Sequence, residues 1–319
     1  MPATDYASRP KTSLVTGGTD GIGKAIARTL AAMGHRTIIV GRDGTKGHLA
    51  ERELQTATSN EHVEFIRADL SLIRGVDMLA ATITERCTSL HTVILNAGVI
   101  HGTRELTSEG LERMFATNFL GRFELTRALL PLLEKAGRRD DPAHLLFVSG
   151  AARGGRIDYS DSSLRSRFSV IRAVQQFCLA NDVFAMSLAH HIYESTANAR
   201  IGVACIKLGV VKTKIRQHFP WWMKRIVPLL MDPLFGQSPE DAAMSALQAI
   251  RESSPNDPTA ALFMKVRRFK RLSPNDQILD RGEWRRLWKW ADQLAKAARV
   301  ARHINPRDTE RSLSGFATT

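Results

Sequence analysis

Only three cysteines occur in 319 residues, Cys87, Cys178 and Cys205, and they are far apart. None has the spacing of a metal site or a redox pair, so no metal site is expected. A disulfide-stapled scaffold is excluded, and buried thiols in a reducing compartment are expected instead. Long apolar runs are missing too, so no segment is predicted to cross a bilayer. The opening residues MPATDYASRPKTS are polar and lack the charged–apolar–small pattern of a secretion leader. A soluble, cytoplasmic protein is the expectation. Acidic residues are the scarcer charge, 32 against 45 basic ones, leaving a net charge of +13. Such a surface suits anionic partners, but no nucleic-acid motif accompanies the charge, and nucleic acid is not expected as a partner. Much of the excess lies in KVRRFKR, 265–271, and RGEWRRLWKWADQLAKAARVAR, 281–302. Arginines there alternate with apolar residues, and both stretches are read as solvated helix faces.

Short apolar runs alternate with helical patterns through the first two-thirds of the chain. TSLVTGG, RTIIVGR, HVEFIRADL, TVILNAG, HLLFVSG and RIGVACIKLG read as strands. Between them GIGKAIARTLAAMGH, TKGHLAERELQTAT, SLIRGVDMLAATITERC and the segment from about Ser108 to Lys135 carry helical periodicity. This alternation predicts an α/β fold of the Rossmann type, a doubly wound parallel sheet with helices on both faces. Its ligand crevice should lie at the carboxyl ends of the strands. One domain is expected over 12–302, with a cofactor half at 12–150 and a substrate half at 151–302. Residues 1–11 should be flexible, and the polar, aperiodic stretch 303–319 disordered.

The first strand runs into TGGTDGIG, residues 16–23, and then directly into a helix. Glycines let such a turn approach a pyrophosphate, which rests on the positive end of the helix. The strand–turn–helix context gives the motif its weight, and Gly17, Thr19, Asp20, Gly21, Ile22 and Gly23 are the candidate cradle.

Together with Asp69-Leu70 after the third strand and Asn96-Ala97-Gly98 after the fourth, these residues resemble the short-chain dehydrogenase/reductase family. The resemblance covers roughly residues 11–300 and implies a nicotinamide dinucleotide, with Asp69 at its adenine ring. The second strand ends in Gly41-Arg42, where NAD-selective enzymes of this kind usually place an acid. An arginine favours a ribose 2′-phosphate over a 2′-hydroxyl, so NADP(H) is the expected cofactor, with Lys46 as a second phosphate contact.

In the family an Asn, a Ser and a Tyr-x-x-x-Lys form the catalytic site. Asn118 in MFATNFLGRF and Ser149 in FVSG match the first two. The rest of the match is closest to the retinol-dehydrogenase-like branch, whose Ala-Tyr-x-x-Ser-Lys-Leu-Ala-Asn falls on AVQQFCLAN, 173–181. Tyr is thereby replaced by Val174 and Lys by Cys178. After the sixth strand, Gly209, Val211 and Thr213 keep the family's pattern, with Val211 and Thr213 implied at the nicotinamide carboxamide. Lys207, near the expected nicotinamide, and Tyr159, in the loop after Ser149, are the candidates to replace the lost acid.

Beyond Thr213 the family carries a substrate lid, here about 212–237. Phe219, Trp221, Trp222 and Met223 suit a bulky hydrophobic or aromatic small-molecule substrate. Core or dimer packing and contact with a membrane surface through the neighbouring Lys224 and Arg225 are the other readings of that stretch. SPEDAA then opens a helix with Ser238 as N-cap and Pro239 at its first position. The expectation is an atypical NADP(H)-dependent reductase, with two alternatives: a non-redox cyclase or isomerase of specialised metabolism, and a non-catalytic NADP-binding protein. The family also implies a homodimer.

Overall fold

All six apolar runs form strands of one sheet: β1 (Thr12–Thr16), β2 (Arg36–Gly41), β3 (Val63–Arg67), β4 (Thr92–Leu95), β5 (Ala143–Gly150) and β6 (Ile201–Leu208). The structure, a computed structural model, describes residues 10–138, 140–152, 154–195, 200–209, 211, 236–266 and 268–301. Two further strands, β7 (Ala261–Lys265) and β8 (Phe269–Arg271), complete the order β3-β2-β1-β4-β5-β6-β7-β8. β1 to β7 are parallel, and β8 returns antiparallel to β7. The expected Rossmann-type α/β fold is therefore present.

Helices cover both faces. α1 (Gly21–Ala32), α2 (Gly44–Thr58) and α3 (Ile73–Arg86) follow the first three strands. α4 (Arg113–Phe115), a π-helical turn (Ala116–Leu120) and α5 (Gly121–Ala136) follow β4. The long α6 (Val170–Ser195) follows β5, then come α7 (Pro239–Glu252), α8 (Asp276–Leu279) and α9 (Arg281–Val300). Alternate strand residues feed two cores. Leu14, Val40 and Leu95 face one, lined by α3, α5, α6 and α9, while Val15, Ile39 and Ile94 face the other with α1, α2 and α7. Phe184 of α6 anchors the first, its ring against those of Phe119, Phe123, Phe147 and Trp288.

Two sequence expectations change. The stretch 265–271 is not a helix face: it ends β7 and forms β8, where Phe269 stacks on Phe263 with centroids 5.0 Å apart. Cross-strand packing of that ring outweighs the helical spacing of the arginines. The helical run expected from Ser108 starts at Arg113, because Thr107 and Leu111 close a turn and Glu112 caps the N–H groups of Met114 and Phe115. The basic C-terminal stretch does form a helix, with Leu287, Trp290, Ala291 and Leu294 buried and Arg281, Arg285 and Lys289 exposed. Ser238 caps α7 as expected, accepting from the Asp241 N–H at 3.0 Å. Among the described residues no helix is long and apolar enough to cross a membrane.

At the amino-terminal side of the sheet, burial and then the charge of Lys11 lower His35 and His144 to about 4. Their unfolded values lie near 6.5, so each favours folding fully above that pH and loses its contribution as pH falls towards 4. Urea midpoints should drop between pH 7 and pH 5, and His144→Gln should flatten that dependence; a slope unchanged by the substitution would assign the loss elsewhere.

Candidate active site at the carboxyl ends of the strands

Strand order reverses between β1 and β4, and the sequence-marked residues gather there. Thr16 closes the junction: its Oγ1 accepts from the N–H groups of Asn96 at 3.0 Å and Ala97 at 3.1 Å and donates to Ile94 O at 3.1 Å. Asn96 Nδ2 donates back to the carbonyls of Thr16 and Gly17. Gly17 has φ +66, a conformation that glycine adopts without strain. A Cβ on Gly23 would lie 2.2 Å from Gly17 O and 2.4 Å from Asn96 Nδ2, so α1 can start this close to the strands only without a side chain there. Asp20 caps α1 by accepting from the Gly21 N–H at 2.8 Å. Ile22 packs on the second core, and Thr19 lies against Gly41 at the end of β2.

The polar residues around this turn have defined places. Arg42 is exposed just past β2, and its carbonyl accepts from Arg67 Nε at 3.1 Å. Lys46 Nζ lies 2.6 Å from Asp20 Oδ2, so its charge is engaged at the turn itself. Asp69 accepts from the Ser71 N–H and hydroxyl, and Leu70 is buried. Gly98 faces Asn118: a Cβ there would stand 3.3 Å from Asn118 Oδ1.

Asn118 sits in the π-helical turn, a distortion often found at functional sites. Its Oδ1 accepts from the Val99 N–H and its Nδ2 donates to Val99 O, both at 2.8 Å. The side chain that the family pattern assigns to catalysis is here a brace for the backbone after β4. Asn181 Nδ2 holds the Asn118 carbonyl at 2.9 Å. Beneath them the buried Arg122 donates to Ala97 O at 2.7 Å and Val148 O at 2.8 Å, tying the ends of β4 and β5 together. Burial lowers its pKa to about 10, still well above neutrality, so it remains a cation.

Ser149 and Lys207 face each other across β5 and β6. Ser149 Oγ donates to Cys178 Sγ at 3.2 Å, and that thiol contacts Gly150 O at 3.6 Å. Lys207 Nζ lies 2.5 Å from Asp182 Oδ2 and 3.4 Å from Ala152 O, while Cys205 Sγ is 3.3 Å from Asp182 Oδ1. Burial opposes a charge on Lys207, but the Asp182 carboxylate prevails and raises its pKa. All five of these side chains are buried. Val174 lies one turn before Cys178, partly buried against the core.

Tyr159 goes elsewhere. Its hydroxyl donates to Glu283 Oε1 of α9 at 2.8 Å, its ring meets Trp290, and Arg286 lies over it at 4.2 Å. Burial, then the bond to Glu283, pushes its pKa far up. It anchors the loop before α6, whereas Lys207 joins Ser149. Val211 pairs with Gln237 in an isolated parallel bridge. Thr213 and the expected lid residues Phe219, Trp221, Trp222 and Met223 lie outside the described residues. Among the described residues no cluster of His, Cys, Asp or Glu could hold a metal ion. Sequence reading missed Asp182, Arg122 and Arg67; the first two were signalled only by standing one helical turn after Cys178 and Asn118.

The sequence profile of the short chain dehydrogenase family matches residues 11–152. Polyprenol dehydrogenase of Mus musculus is 30% identical over 240 residues, 75% of this chain and 71% of that protein. The chain belongs to the short-chain dehydrogenase family. Human retinol dehydrogenase 13 is 29% identical over 289 residues, 89% of this chain and 84% of that protein. Among solved structures, the RhlG/NADP active-site complex of Pseudomonas aeruginosa shares the fold with a TM-score of 0.58 at 24% identity, covering 74% of this chain and 88% of that one.

The chain keeps all three cysteines free and buried, and burial pushes each thiol pKa up. A thiol-specific disulfide reagent at pH 7 should therefore label none in the native protein and three after denaturation. Rapid native labelling of Cys178 would refute this packing.

Proposed function

We propose that the protein is an NADP(H)-dependent oxidoreductase acting on a bulky hydrophobic alcohol or carbonyl compound. The observation that carries the cofactor reading is the turn after β1, where Gly17 takes a positive φ and Gly23 is pressed against Gly17 O and Asn96. Such a turn leaves backbone N–H groups and a helix N-terminus facing the crevice, the arrangement that receives a pyrophosphate. Gly17, Thr19, Asp20, Gly21, Ile22 and Gly23 would cradle it, with Asp69 and Leu70 towards the adenine and Asn96, Ala97, Gly98, Val211 and Thr213 towards the nicotinamide. Arg42 and the adjoining Arg67 supply cations at the end of β2, where a 2′-phosphate would lie. When bound, the dinucleotide supplies or takes a hydride. The polyprenol and retinol of the relatives' names are both long apolar alcohols, which agrees with the apolar Phe219–Met223 stretch as a substrate cover.

Val174 and Cys178, at the positions where the family pattern has Tyr and Lys, favour a second reading: cyclisation or isomerisation in the same cavity with no net use of cofactor. One experiment separates the two. Incubation with NADPH deuterated at C4 should place deuterium in the reduced product; an isomeric product free of deuterium would sink the oxidoreductase reading.

Calorimetry should show NADPH binding more tightly than NADH. Arg42→Ala should weaken NADPH by about ten- to a hundredfold, the worth of one charge-assisted hydrogen bond, and leave NADH unchanged. An Arg42→Ala protein with undiminished preference for NADPH would remove Arg42 from the phosphate site.

A further inference from the structure

The charges beneath Ser149 do more than the fold requires. Asp182 and Lys207 form an ion pair whose side chains are only 4% and 7% exposed. Two such charges lose their hydration, and an apolar pair of the same volume is often as stable or more so. Stability alone therefore gives no reason for an ammonium and a carboxylate at this depth. Their placement does. Ser149 and Lys207 are direct partners on adjacent parallel strands, so their side chains leave the sheet on the same face. Both end on α6, at residues one turn apart: Ser149 on Cys178 and Lys207 on Asp182. The carboxylate is held at both oxygens, Oδ2 by Lys207 and Oδ1 by Cys205. An ammonium has three N–H donors. Asp182 takes one and Ala152 O a second, and the third has no partner among the described residues.

We propose that Lys207 is the proton donor of this site, its third N–H directed to a substrate oxygen that also contacts Ser149, and that Asp182 is the residue positioning it. This rests on the oxidoreductase reading. As the carbonyl carbon accepts a hydride from the reduced dinucleotide, the C=O π pair moves to oxygen, and that oxygen takes a proton from Lys207 Nζ. The carbonyl is reduced to an alcohol, the dinucleotide is oxidised, and the neutral amine regains its proton from solvent. An alkoxide is far more basic than an amine, so a lysine whose proton is held firmly by Asp182 still yields it. Among the described residues, the other titratable or charged groups near the ammonium are Cys178 from α6 and Cys205 on β6, with Arg122 approaching both thiols from α5. Burial pushes both thiols up, leaving them neutral, so Asp182 is the anion that keeps Lys207 charged.

The test compares two electrophiles in the full-length protein with C4-deuterated NADPH: retinal, whose oxygen needs a proton, and the pyrrolidine iminium salt of retinal, which needs none. Lys207→Met should slow deuterium transfer to retinal by about 10²–10⁴, the usual worth of a general acid, without a comparable loss on the iminium. Asp182→Asn should move the alkaline limb of retinal reduction to lower pH, and Asp182→Glu should restore it. In the cofactor-free protein, NMR titration of the Lys207 side chain should follow the same order, tying the alkaline limb to the Lys207 ammonium; a limb that stays in place while the Lys207 titration moves would overturn its role as proton donor. Equal losses on both electrophiles, or full retinal reduction by Lys207→Met, would overturn the role of Lys207 while leaving the oxidoreductase reading intact. Absence of deuterium transfer by the unmodified protein to either electrophile would overturn both.

Discussion

The site depends on the hydroxyl of Thr16. At the end of β1 it collects two N–H groups from the backbone after β4 and returns a bond to Ile94 O, fixing the mouths of the two central strands. Asn96 then reaches back to the carbonyls of Thr16 and Gly17. The positive φ of Gly17 and the near approach of α1 at Gly23 are possible because these groups are already satisfied within the junction. Arg122 repeats the device one strand further, joining Ala97 O to Val148 O. The carboxyl ends of β1, β4 and β5 are thus fixed by side chains that saturate strand-end backbone rather than by strand pairing alone.

Most of the architecture was legible in the chain. Six apolar runs, glycines after the first of them and a Ser-Pro cap on α7 are local signals, and local signals survive folding. The hairpin of β7 and β8 was hidden because its arginines mimic a helix face, while its strand identity comes from Phe269 finding Phe263 across the pair. The glycine turn after β1 was legible because its glycines lie close together in sequence. The ion pair under Ser149 was only half legible, since it unites α6 with a strand: Lys207 was expected near the nicotinamide, but Asp182, 25 positions earlier, gives no sign of being its partner until the sheet brings them together. Tyr159 shows the reverse. Proximity in sequence to Ser149 suggested a shared site, and the loop instead carries the ring to α9.

The two halves of the crevice differ in how they carry charge. Around the glycine turn, charged groups are half-exposed or exposed, as with Lys46 beside Asp20 and with Arg42. Such groups can exchange protein partners for ligand oxygens at modest cost. Under Ser149 they are sealed, and removing one member would leave the other without compensation in a medium of low polarity. The first region is built to trade partners, the second to hold a fixed field.

The strands at the two ends of the sheet have a consequence of another kind. An uncovered edge offers unpaired backbone groups to the edge of any neighbouring sheet. Here one end is β3, where Glu64 is bonded to Arg36 and Arg67 is exposed, and the other is the three-residue β8, with Lys270 and Arg271 exposed. A second copy approaching β8 edge to edge would have to bring like charges together and would find only three residues to pair. Among the described residues, the charges along both edges thus oppose edge-to-edge pairing, and the net positive charge also favours colloidal stability.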